Sequence, residues 1–575
     1  YTAPDGTIFT FAEDGLEQIE DPNGNTVTLT ADGIEHSSGL EVIIQRDAQG
    51  RIVEITDPEG HVQRYTYSVA GDLIAHADQL DNTTRFFYDR NHGLLRIEDP
   101  LGRPVSRTEY DDDGRVVAIT DADGNRIEVN HDLAGQVEIQ TDPDGSQDVY
   151  EYDEQGNVTR HVDGVGAETT WTYDDAGNIL TMTNPRGGVT TTTWNDDDRP
   201  LTVTDPAGDV TTYTYDDDGN RTSVTDGEGA VTVFEYDSRG NVTRIIDPEG
   251  GVTDRAYDAD GNLASVTDPL GNVVQLQYDG FGRLESRTDA NGSTVSYTYD
   301  ANGRRLTEEH VVTGPDGPRT LSTEHTYDDA GQLTSTTFPD GSQRSVERDG
   351  AGNLTASVDP LGRRTEMDRD WAGRPTRVSL PDGEDSTILY GFGERVLEVE
   401  QRSGVQLSWE YDGADRATTF VLPDDTPSSA DNPRFDVQYA PDGLPLALEA
   451  PGGGTTEFEH DALGRLRATR DPLGRGVLHR YDGAGRVVEE EDALGLVTAH
   501  AYDANGRRTR TTWPDGTEHT MTYDAAGRLT SHTDEEGETT FFEYDGVGRL
   551  TTVIDPVGSR TEYAYDEAGN LVAQT

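Results

Sequence analysis

The stretch of sequence that decides the fold is residues 257–300, which read YDADGNLASVTDPLGNVVQLQYDGFGRLESRTDANGSTVSYTYD. Tyr257, Tyr278 and Tyr299 each precede an aspartate and stand 21 residues apart. Glycines four places after them keep the same step, at Gly261, Gly282 and Gly303. A fixed period of 20 to 50 residues is typical of repeat architectures. The sequence therefore indicates an array of repeats.

The array extends over nearly the whole chain. Residues 1–45 carry a looser form of the pattern, and residues 46–575 form a continuous 21-residue array. Its anchor position is occupied 25 times, 19 of them by tyrosine. The anchors are Arg46, Tyr67, Tyr88, Tyr110, His131, Tyr152, Tyr173, Trp194, Tyr215, Tyr236, Tyr257, Tyr278, Tyr299, Tyr327, Arg348, Arg369, Tyr390, Tyr411, Tyr439, His460, Tyr481, Tyr502, Tyr523, Tyr544 and Tyr565.

Each repeat contains two turn signals. The first is Asp-x-x-Gly directly after the anchor, and the second is Asp-x-x-Gly about ten residues later, often with proline in second place, as in residues 268–271. Aspartate caps backbone N–H groups, and glycine supplies the positive φ that ends such a turn. The residues that represent this structural repeat are Tyr173, Asp174, Gly177, Tyr215, Asp216, Gly219, Tyr257, Asp258, Gly261, Tyr278, Gly282, Tyr299, Gly303, Tyr544 and Gly548.

Two turns in 21 residues leave room for two strands of about six residues, a common strand length. Residues 210–215 (VTTYTY) are β-branched or aromatic throughout, as strands prefer. We therefore predict an all-β fold, a long antiparallel meander of hairpins that winds into a spiral hollow shell or barrel. A propeller with four strands per blade would need about twelve blades, beyond the usual four to eight.

Two additions of seven residues interrupt the period, near residues 308–320 and 423–434. Both are rich in proline, glycine, aspartate or serine, which mark turns and loops. We expect both to be longer surface loops.

Composition limits the functions that are open to this chain. Its formal net charge is −66, and all 45 basic residues are arginine. Such a field repels phosphate backbones, so we expect no nucleic-acid partner. The chain has no cysteine, which excludes disulfides and thiolate sites. We expect no membrane span, because no apolar run is long enough, and no signal peptide is visible. The chain opens inside the pattern, so we expect it to be a segment of a longer protein.

The motifs of common enzyme classes are missing, so we expect neither catalysis nor a cofactor. Aspartate-rich turns are candidates for Ca²⁺, which takes oxygen ligands, although aspartate favours these turn positions in any case. The candidate calcium ligands are Asp111, Asp113, Asp121, Asp123, Asp216 and Asp218.

The pattern Tyr-Asp-x-x-Gly-Asn/Arg-Leu followed by Asp-Pro-x-Gly, as in residues 257–271 and 544–558, resembles the YD repeats of Rhs proteins. Similar repeats occur in shell components of insecticidal toxin complexes and in teneurins. The resemblance implies a β-sheet cocoon on a secreted or cell-surface protein. In many members of the family this shell encloses a C-terminal toxin. The chain carries no match to the self-cleavage aspartates of such proteins, so none is assigned.

Two functions remain open on the sequence. The first is a non-catalytic shell that encapsulates or presents a C-terminal toxin or effector domain of the same polypeptide. The second is an extracellular adhesion or filament module that binds glycans or a cell surface. The sequence names neither the cargo nor the receptor.

Overall fold

The computed structural model describes residues 1–3, 7–12, 15–21, 24–314, 317–401, 405–422 and 432–575. For residues 313, 314, 317, 318 and 394, the structure describes the backbone only. In this part of the chain there are 54 β-strands and one short 3-10 helix, Phe392–Glu394. No helix within these ranges has the length and apolar character that crossing a membrane requires.

The strands are numbered β1 to β54 in chain order. The first 27 are Ile8–Ala12, Gly15–Glu20, Thr26–Thr30, Gly33–His36, Glu41–Arg46, Ile52–Thr56, Val62–Tyr67, Leu73–Ala77, Thr83–Tyr88, Leu94–Glu98, Pro104–Tyr110, Val116–Asp121, Arg126–Asp132, Val137–Thr141, Gln147–Tyr152, Val158–Val162, Glu168–Tyr173, Ile179–Thr183, Val189–Trp194, Pro200–Thr204, Val210–Tyr215, Arg221–Thr225, Val231–Tyr236, Val242–Ile246, Val252–Tyr257, Leu263–Thr267 and Val273–Tyr278. The others are Leu284–Thr288, Thr294–Tyr299, Arg305–Gly314, Gly317–Tyr327, Leu333–Thr337, Gln343–Arg348, Leu354–Val358, Arg364–Arg369, Pro375–Ser379, Asp385–Tyr390, Val396–Glu400, Gln406–Tyr411, Ala417–Val421, Arg434–Tyr439, Pro445–Ala450, Gly454–His460, Leu466–Arg470, Gly476–Tyr481, Val487–Glu491, Val497–Tyr502, Arg508–Thr512, Glu518–Tyr523, Leu529–Thr533, Thr539–Tyr544, Leu550–Ile554, Arg560–Tyr565 and Leu571–Gln574.

The strands form one antiparallel sheet in which each strand pairs with the next one along the chain. Among the described strands, the two terminal ones each have one partner, β2 for β1 and β53 for β54, so the sheet is open. The predicted all-β meander is confirmed. Residues 1–45, predicted as looser repeats, contribute β1 to β5 to the same sheet.

Two kinds of turn connect the strands, and they alternate along the chain. We call the turn after each anchor a YD turn and the other a DPxG turn; examples are residues 258–261 and 268–271. YD turns lie along one edge of the sheet and DPxG turns along the other, because successive strands run in opposite directions.

The sheet is one layer thick. The chain exposes 31825 Å², whereas a compact protein of 62.7 kDa would expose about 20,000 Å². Buried apolar residues within the described ranges are small, five alanines and Val312, and none of the large side chains there is fully buried. Stability must therefore come from contacts between neighbouring strands and turns rather than from a solid core.

The layer winds on itself. Side chains of DPxG turns contact YD turns that lie 243 to 278 residues later in the chain. With 21 residues and two strands per repeat, one coil takes about 12 repeats or 24 strands. The predicted spiral is thus present, with about two coils in this chain. We call the line of contact between successive coils the seam.

The first insertion differs from the surface loop that the sequence predicted near residues 308–320. Strands β30 (Arg305–Gly314) and β31 (Gly317–Tyr327) continue through it and pair from Thr307↔Glu324 to Gly314↔Gly317. The β-branched Val311 and Val312 favour strands, and Val312 is buried, so the added residues lengthen a hairpin. Most of the second insertion, near residues 423–434, lies outside the described residues.

Candidate functional site

The aspartate of each YD turn organises the turn through both carboxylate oxygens. Asp258 Oδ1 accepts hydrogen bonds from the backbone N–H groups of Asp260 (3.0 Å) and Asn262 (2.8 Å). Its Oδ2 accepts from the Asn262 side chain at 3.2 Å. Gly261 closes the turn with φ +87°, in the left-handed region that glycine adopts freely. The same geometry recurs in the DPxG turn at Asp268.

The anchor tyrosine ties each repeat to the preceding one. The Tyr257 hydroxyl donates to the carbonyl oxygen of Val242 at 2.9 Å. Strands β24 and β25 pair only from Arg244 to Ile246, so this carbonyl lies where the ladder has already opened. The hydroxyl therefore satisfies a backbone acceptor for which β25 offers no partner in the ladder.

This bond recurs at 2.6 to 3.1 Å along the chain, usually over 15 residues. The pairs are Tyr110 with Leu94, Tyr173 with Val158, Tyr215 with Pro200, Tyr236 with Arg221, Tyr257 with Val242, Tyr278 with Leu263, Tyr299 with Leu284, Tyr327 with Arg305, Tyr411 with Val396, Tyr439 with Ala417, Tyr481 with Leu466, Tyr502 with Val487, Tyr523 with Arg508, Tyr544 with Leu529 and Tyr565 with Leu550.

Four anchors that are not tyrosine keep the same bond. Arg46 Nε, His131 Nε2, Trp194 Nε1 and Arg369 Nε donate to the carbonyl oxygen 15 residues earlier at 3.1, 2.9, 2.9 and 2.7 Å. What these residues share with tyrosine is a donor at the end of a long side chain. The anchor position thus selects for a donor of that reach.

The residue that closes each YD turn, one place after the glycine, links successive repeats when it is arginine. Arg507 Nε donates to Asp503 Oδ2 at 2.6 Å, and its Nη1 donates to the carbonyl oxygen of Asp524 in the next turn at 3.0 Å. Its guanidinium lies 5.0 Å from the ring centroid of Tyr523, within cation–π range. Arg465, Arg486, Arg528 and Arg549 repeat this arrangement. The sequence pattern identified this position as asparagine or arginine, but it did not predict that the arginine links successive repeats.

The electrostatics of the turns follow from these bonds. Hydrogen bonds from the backbone of Asn178 hold the pKa of Asp174 below its ordinary value. The side chain of Asn220 does the same to the pKa of Asp216. Burial raises the pKa of the Tyr173, Tyr278 and Tyr544 hydroxyls. The turn carboxylates are therefore charged acceptors, and the tyrosines are neutral donors, at neutral pH.

The structure places the residues predicted for the structural repeat at recurring positions. The predicted tyrosines Tyr173, Tyr215, Tyr257, Tyr278, Tyr299 and Tyr544 end strands. Asp174, Asp216 and Asp258 each accept two backbone N–H groups in a YD turn. The predicted glycines have φ between +73° and +91°; they are Gly177, Gly219, Gly261, Gly282, Gly303 and Gly548.

The candidate calcium ligands also occupy turns. Asp111, Asp121 and Asp216 each accept two backbone N–H groups. Asp113 pairs with Arg115, and Asp123 pairs with Arg374 across the seam. Within the described ranges, no three acidic or histidine side chains form a group that could hold a metal ion. Calcium binding at these turns stays a prediction.

The seam is where the sheet brings distant residues together. The sequence predicted a spiral whose successive turns pair, but not which residues meet there. A Cβ built at Gly164 would lie 2.3 Å from the backbone oxygen of Gly413, and one at Gly227 would lie 2.5 Å from that of Gly483. Real Cβ atoms do not approach backbone oxygen so closely. Glycine at these positions therefore allows the backbones of two coils to meet.

Polar side chains complete the seam. Glu228 accepts from the backbone N–H of Gly483 at 2.6 Å, and Glu249 accepts from that of Ala504 at 2.7 Å. Asn291 donates to Asp545 at 3.1 Å. Four arginines form ion pairs across the seam: Arg186 with Asp442, Arg304 with Glu59, Arg374 with Asp123 and Arg395 with Asp144. These arginine side chains are mostly buried, so their charges need such partners.

Removing the anchor hydroxyl should weaken the link between repeats without removing the ring. We expect Tyr257→Phe to lower the local free energy of opening by about 1 kcal/mol, because the Val242 carbonyl loses its partner. Hydrogen exchange across residues 242–257 measures this. Tyr213→Phe is the matched control, since the Tyr213 hydroxyl has no hydrogen bond in the part of the chain that the structure describes. Equal effects of both changes would contradict the assigned role.

The comparisons with known proteins agree with this geometry. The family model RHS Repeat matches more than half of the chain, at residues 46–78, 88–126, 110–147, 131–168, 152–189, 194–231, 215–252, 257–294, 282–317, 299–343, 348–385, 481–518, 514–540, 523–559 and 544–575. No curated protein matches the chain.

Solved structures share the fold at low sequence identity. A crystal structure of TcdB2-TccC3-TEV has a TM-score of 0.58 at 12% identity, over 99% of this chain and 41% of that one. A crystal structure of TcdB2-TccC3 has 0.57 at 13%, over 99% and 39%. The Photorhabdus luminescens Tc holotoxin pore has 0.52 at 13%, over 98% and 41%. This chain thus spans about two fifths of the length of the chains that it matches. With repeats matched along most of its length, the chain belongs to the RHS repeat family.

Proposed function

We propose that this chain is the shell segment of a larger secreted RHS-repeat protein, and that the shell encloses or presents a C-terminal toxin or effector segment of the same polypeptide. The observation that carries the proposal is the seam. A single-layer sheet whose coils lock edge to edge makes a continuous wall around an interior. In this proposal the wall itself has no catalytic role.

The number of strands in one coil gives an estimate of the width of the interior, which is large enough for a polypeptide segment. With neighbouring strands 4.7–4.9 Å apart, about 24 strands give a perimeter of roughly 115 Å and a width of about 37 Å. Side chains on the inner face take about 5 Å on each side, which leaves a lumen of about 27 Å. An α-helix with its side chains is about 10–12 Å wide.

The estimated width of the lumen also indicates which conformation of the effector segment fits inside. A compact domain of 100 residues has a radius of gyration of about 13 Å and is therefore about 34 Å across. That is wider than the lumen of these coils. We infer that the shell holds its effector as an extended or partly folded chain, which the wetted, weakly apolar wall does not force to fold.

The likeness to a toxin structure supports the part of the proposal that concerns secretion. The similar structures include a Tc holotoxin pore, and the −66 net charge keeps a large, thin-walled particle soluble. The chain covers only part of those proteins, so the effector and the secretion of this protein belong to the proposal.

Electron microscopy and proteolysis of the native full-length polypeptide test the proposal. We expect a hollow profile about 37 Å wide through the coils, and a segment outside the repeats that resists protease until the wall is opened. The seam variant Gly164→Ala, argued in the Discussion, is the matched control that should open the wall. An open rod with every segment cleaved at once would overturn the shell and favour an adhesion or filament module.

A further inference from the structure

The spiral leaves two lengths of turn edge outside the seam. One is the row of YD turns from residues 47 to 241, which we call the N-terminal YD edge. The other is the row of described DPxG turns between residues 338 and 559, which we call the C-terminal DPxG edge. Within the described residues, neither row meets another coil, yet the two rows differ in chemistry.

The C-terminal DPxG edge exposes apolar tips. Leu361, Leu473, Leu494 and Val557 occupy the third position of their turns and are 76% to 86% exposed. At the same turn position inside the seam, Leu80, Leu101, Val165 and Leu270 are only 39% to 49% exposed. The seam thus shows what covers such a tip: a Cβ at Gly350 would lie 3.5 Å from Leu101 Cδ2.

The grooves between DPxG turns show the same contrast. In the seam, a cavity of about 490 Å³ is lined by Asp99 and Arg103 from one coil and by Trp371 and Arg374 from the next. On the C-terminal DPxG edge, a groove of about 730 Å³ is lined between Phe338 and Leu380 by residues of a single coil. The second groove is thus lined from one coil only, whereas the seam cavity is lined from two.

The YD turns that fill seam sites have their own sequence. From Asp258 to Asp566, ten of fifteen YD turns have glycine or alanine directly after the first turn position, and ten of fifteen close with arginine. From Asp47 to Asp237, one of ten has glycine or alanine there, five of ten have aspartate or glutamate, and three of ten close with arginine. The contacts explain the difference, because a Cβ at Gly483 would lie 2.7 Å from Asp209 Oδ1.

We propose that the C-terminal DPxG edge is the docking surface for the next coil of RHS repeats in the same polypeptide, after Thr575. This coil meets the edge with YD turns that carry glycine or alanine after the aspartate and close with arginine. Two features support this occupant. Inside the seam, apolar tips at the same turn position are covered by YD turns of the next coil, as Leu101 is by Gly350. Arginines of the YD turns pair there with third-position acids of DPxG turns, Glu59 and Asp123, and the C-terminal DPxG edge offers such acids at Asp340, Asp515 and Glu536.

The structure argues against a second copy of this chain as the occupant. The only YD turns that a second copy could offer within the described residues are those of the N-terminal YD edge. That edge carries runs such as residues 111–113 and 216–218, which place carboxylates where ten of the fifteen YD turns from Asp258 to Asp566 have glycine or alanine. Like charges at such a contact cost several kcal/mol. The N-terminal YD edge is therefore a poor partner for the C-terminal DPxG edge.

Thiol labelling tests the proposal, because the chain has no cysteine of its own. Leu473→Cys places a single thiol on the C-terminal DPxG edge. Leu101→Cys is the control for a covered tip, and Asp112→Cys is the control for the N-terminal YD edge. Each variant is made in the 575-residue chain and in the native full-length polypeptide, and maleimide labelling rates are compared. Leu361→Cys repeats the test at a second tip.

We expect Leu473→Cys to label about tenfold or more slowly in the native polypeptide than in the 575-residue chain, because the covering coil must open first. Leu101→Cys should label slowly in both and Asp112→Cys rapidly in both. Equal rapid labelling of Leu473→Cys in both proteins overturns the proposal, as does protection that grows with concentration of the 575-residue chain. The result does not depend on an enclosed effector, so it is separable from the proposed function.

Discussion

Replacing Gly164 with alanine should open the seam at this turn and lower its local stability by about 1–3 kcal/mol, the usual cost of overpacking. The new Cβ would stand 2.3 Å from the backbone oxygen of Gly413 and 2.9 Å from the Cβ of Ser146. A backbone oxygen cannot swing aside as a side chain can. One coil must therefore move away from the other, and the contacts beside it weaken as well.

Gly280→Ala is the matched control. Gly280 is the second residue of a YD turn in the seam, as Gly164 is of a DPxG turn, but a Cβ at Gly280 would meet nothing within 4 Å. Gly280→Ala should change stability in the opposite direction to Gly164→Ala. Alanine restricts the unfolded chain, so we expect a gain of about 0.4–1 kcal/mol where the native backbone accepts it. Urea unfolding measures both variants, with hydrogen exchange at residues 142–166 and 412–416 for Gly164→Ala and at residues 279–283 for Gly280→Ala. Loss of stability in Gly280→Ala as large as in Gly164→Ala would sink the close-approach account.

The sheet could be predicted because its causes are local. Asp258 and Gly261 define a turn within five residues, and residues 210–215 define a strand by their own β preference. Each turn needs only its own neighbours, so the 21-residue period leads directly to a meander. The anchor bond was not predicted, although His131, Trp194 and Arg369 in place of tyrosine could have indicated that a long donor is what the position requires.

The seam could not be predicted in the same way. Which turns meet depends on the small rotation between neighbouring strands, added over about 24 strands, and no local pattern fixes that sum. A signal was nevertheless present: the residue after the YD aspartate changes from acidic in Asp112 and Asp217 to small in Gly413 and Gly483. The loop prediction for the first insertion differs from the structure for another reason. Its proline and glycine favour a loop, whereas the β-branched Val311 and Val312 favour the strands that form.

Acid should lower the stability of the sheet, because it protonates the aspartates that organise the turns. In the folded chain, hydrogen bonds hold the pKa of many first turn aspartates below the ordinary value of about 3.9. These residues are Asp47, Asp57, Asp111, Asp153, Asp174, Asp216, Asp237, Asp268, Asp279, Asp359, Asp412, Asp471, Asp545 and Asp566. A group whose pKa is lowered by folding stabilises the fold above its unfolded pKa and loses that contribution as pH falls through the folded pKa.

Two carboxyls act in the opposite direction. Burial raises the pKa of Asp142, with Asp144 adding to the effect, and burial raises the pKa of Asp260, with Asp258 and Asp21 adding to it. Their protonation relieves repulsion as pH falls. Because lowered pKa values recur along the whole array, we expect little change in unfolding free energy between pH 7 and pH 5, and a steep fall below about pH 4. Urea unfolding followed by circular dichroism, at low salt and at about 0.5 M salt to screen long-range repulsion, measures this.

The chain itself supplies the control for the turn aspartates. Asn195 occupies the first position of a YD turn, and its Oδ1 accepts from the backbone N–H groups of Asp197 at 3.0 Å and Arg199 at 2.9 Å. Asparagine therefore keeps both backbone bonds and cannot be protonated in this range. We expect Asp174→Asn to retain hydrogen-exchange protection at residues 176–178 below pH 4, where the native turn loses it. If the native turn stayed protected down to pH 2, or if the variant lost protection at the same pH, the carboxylate would not be the group on which the turn depends.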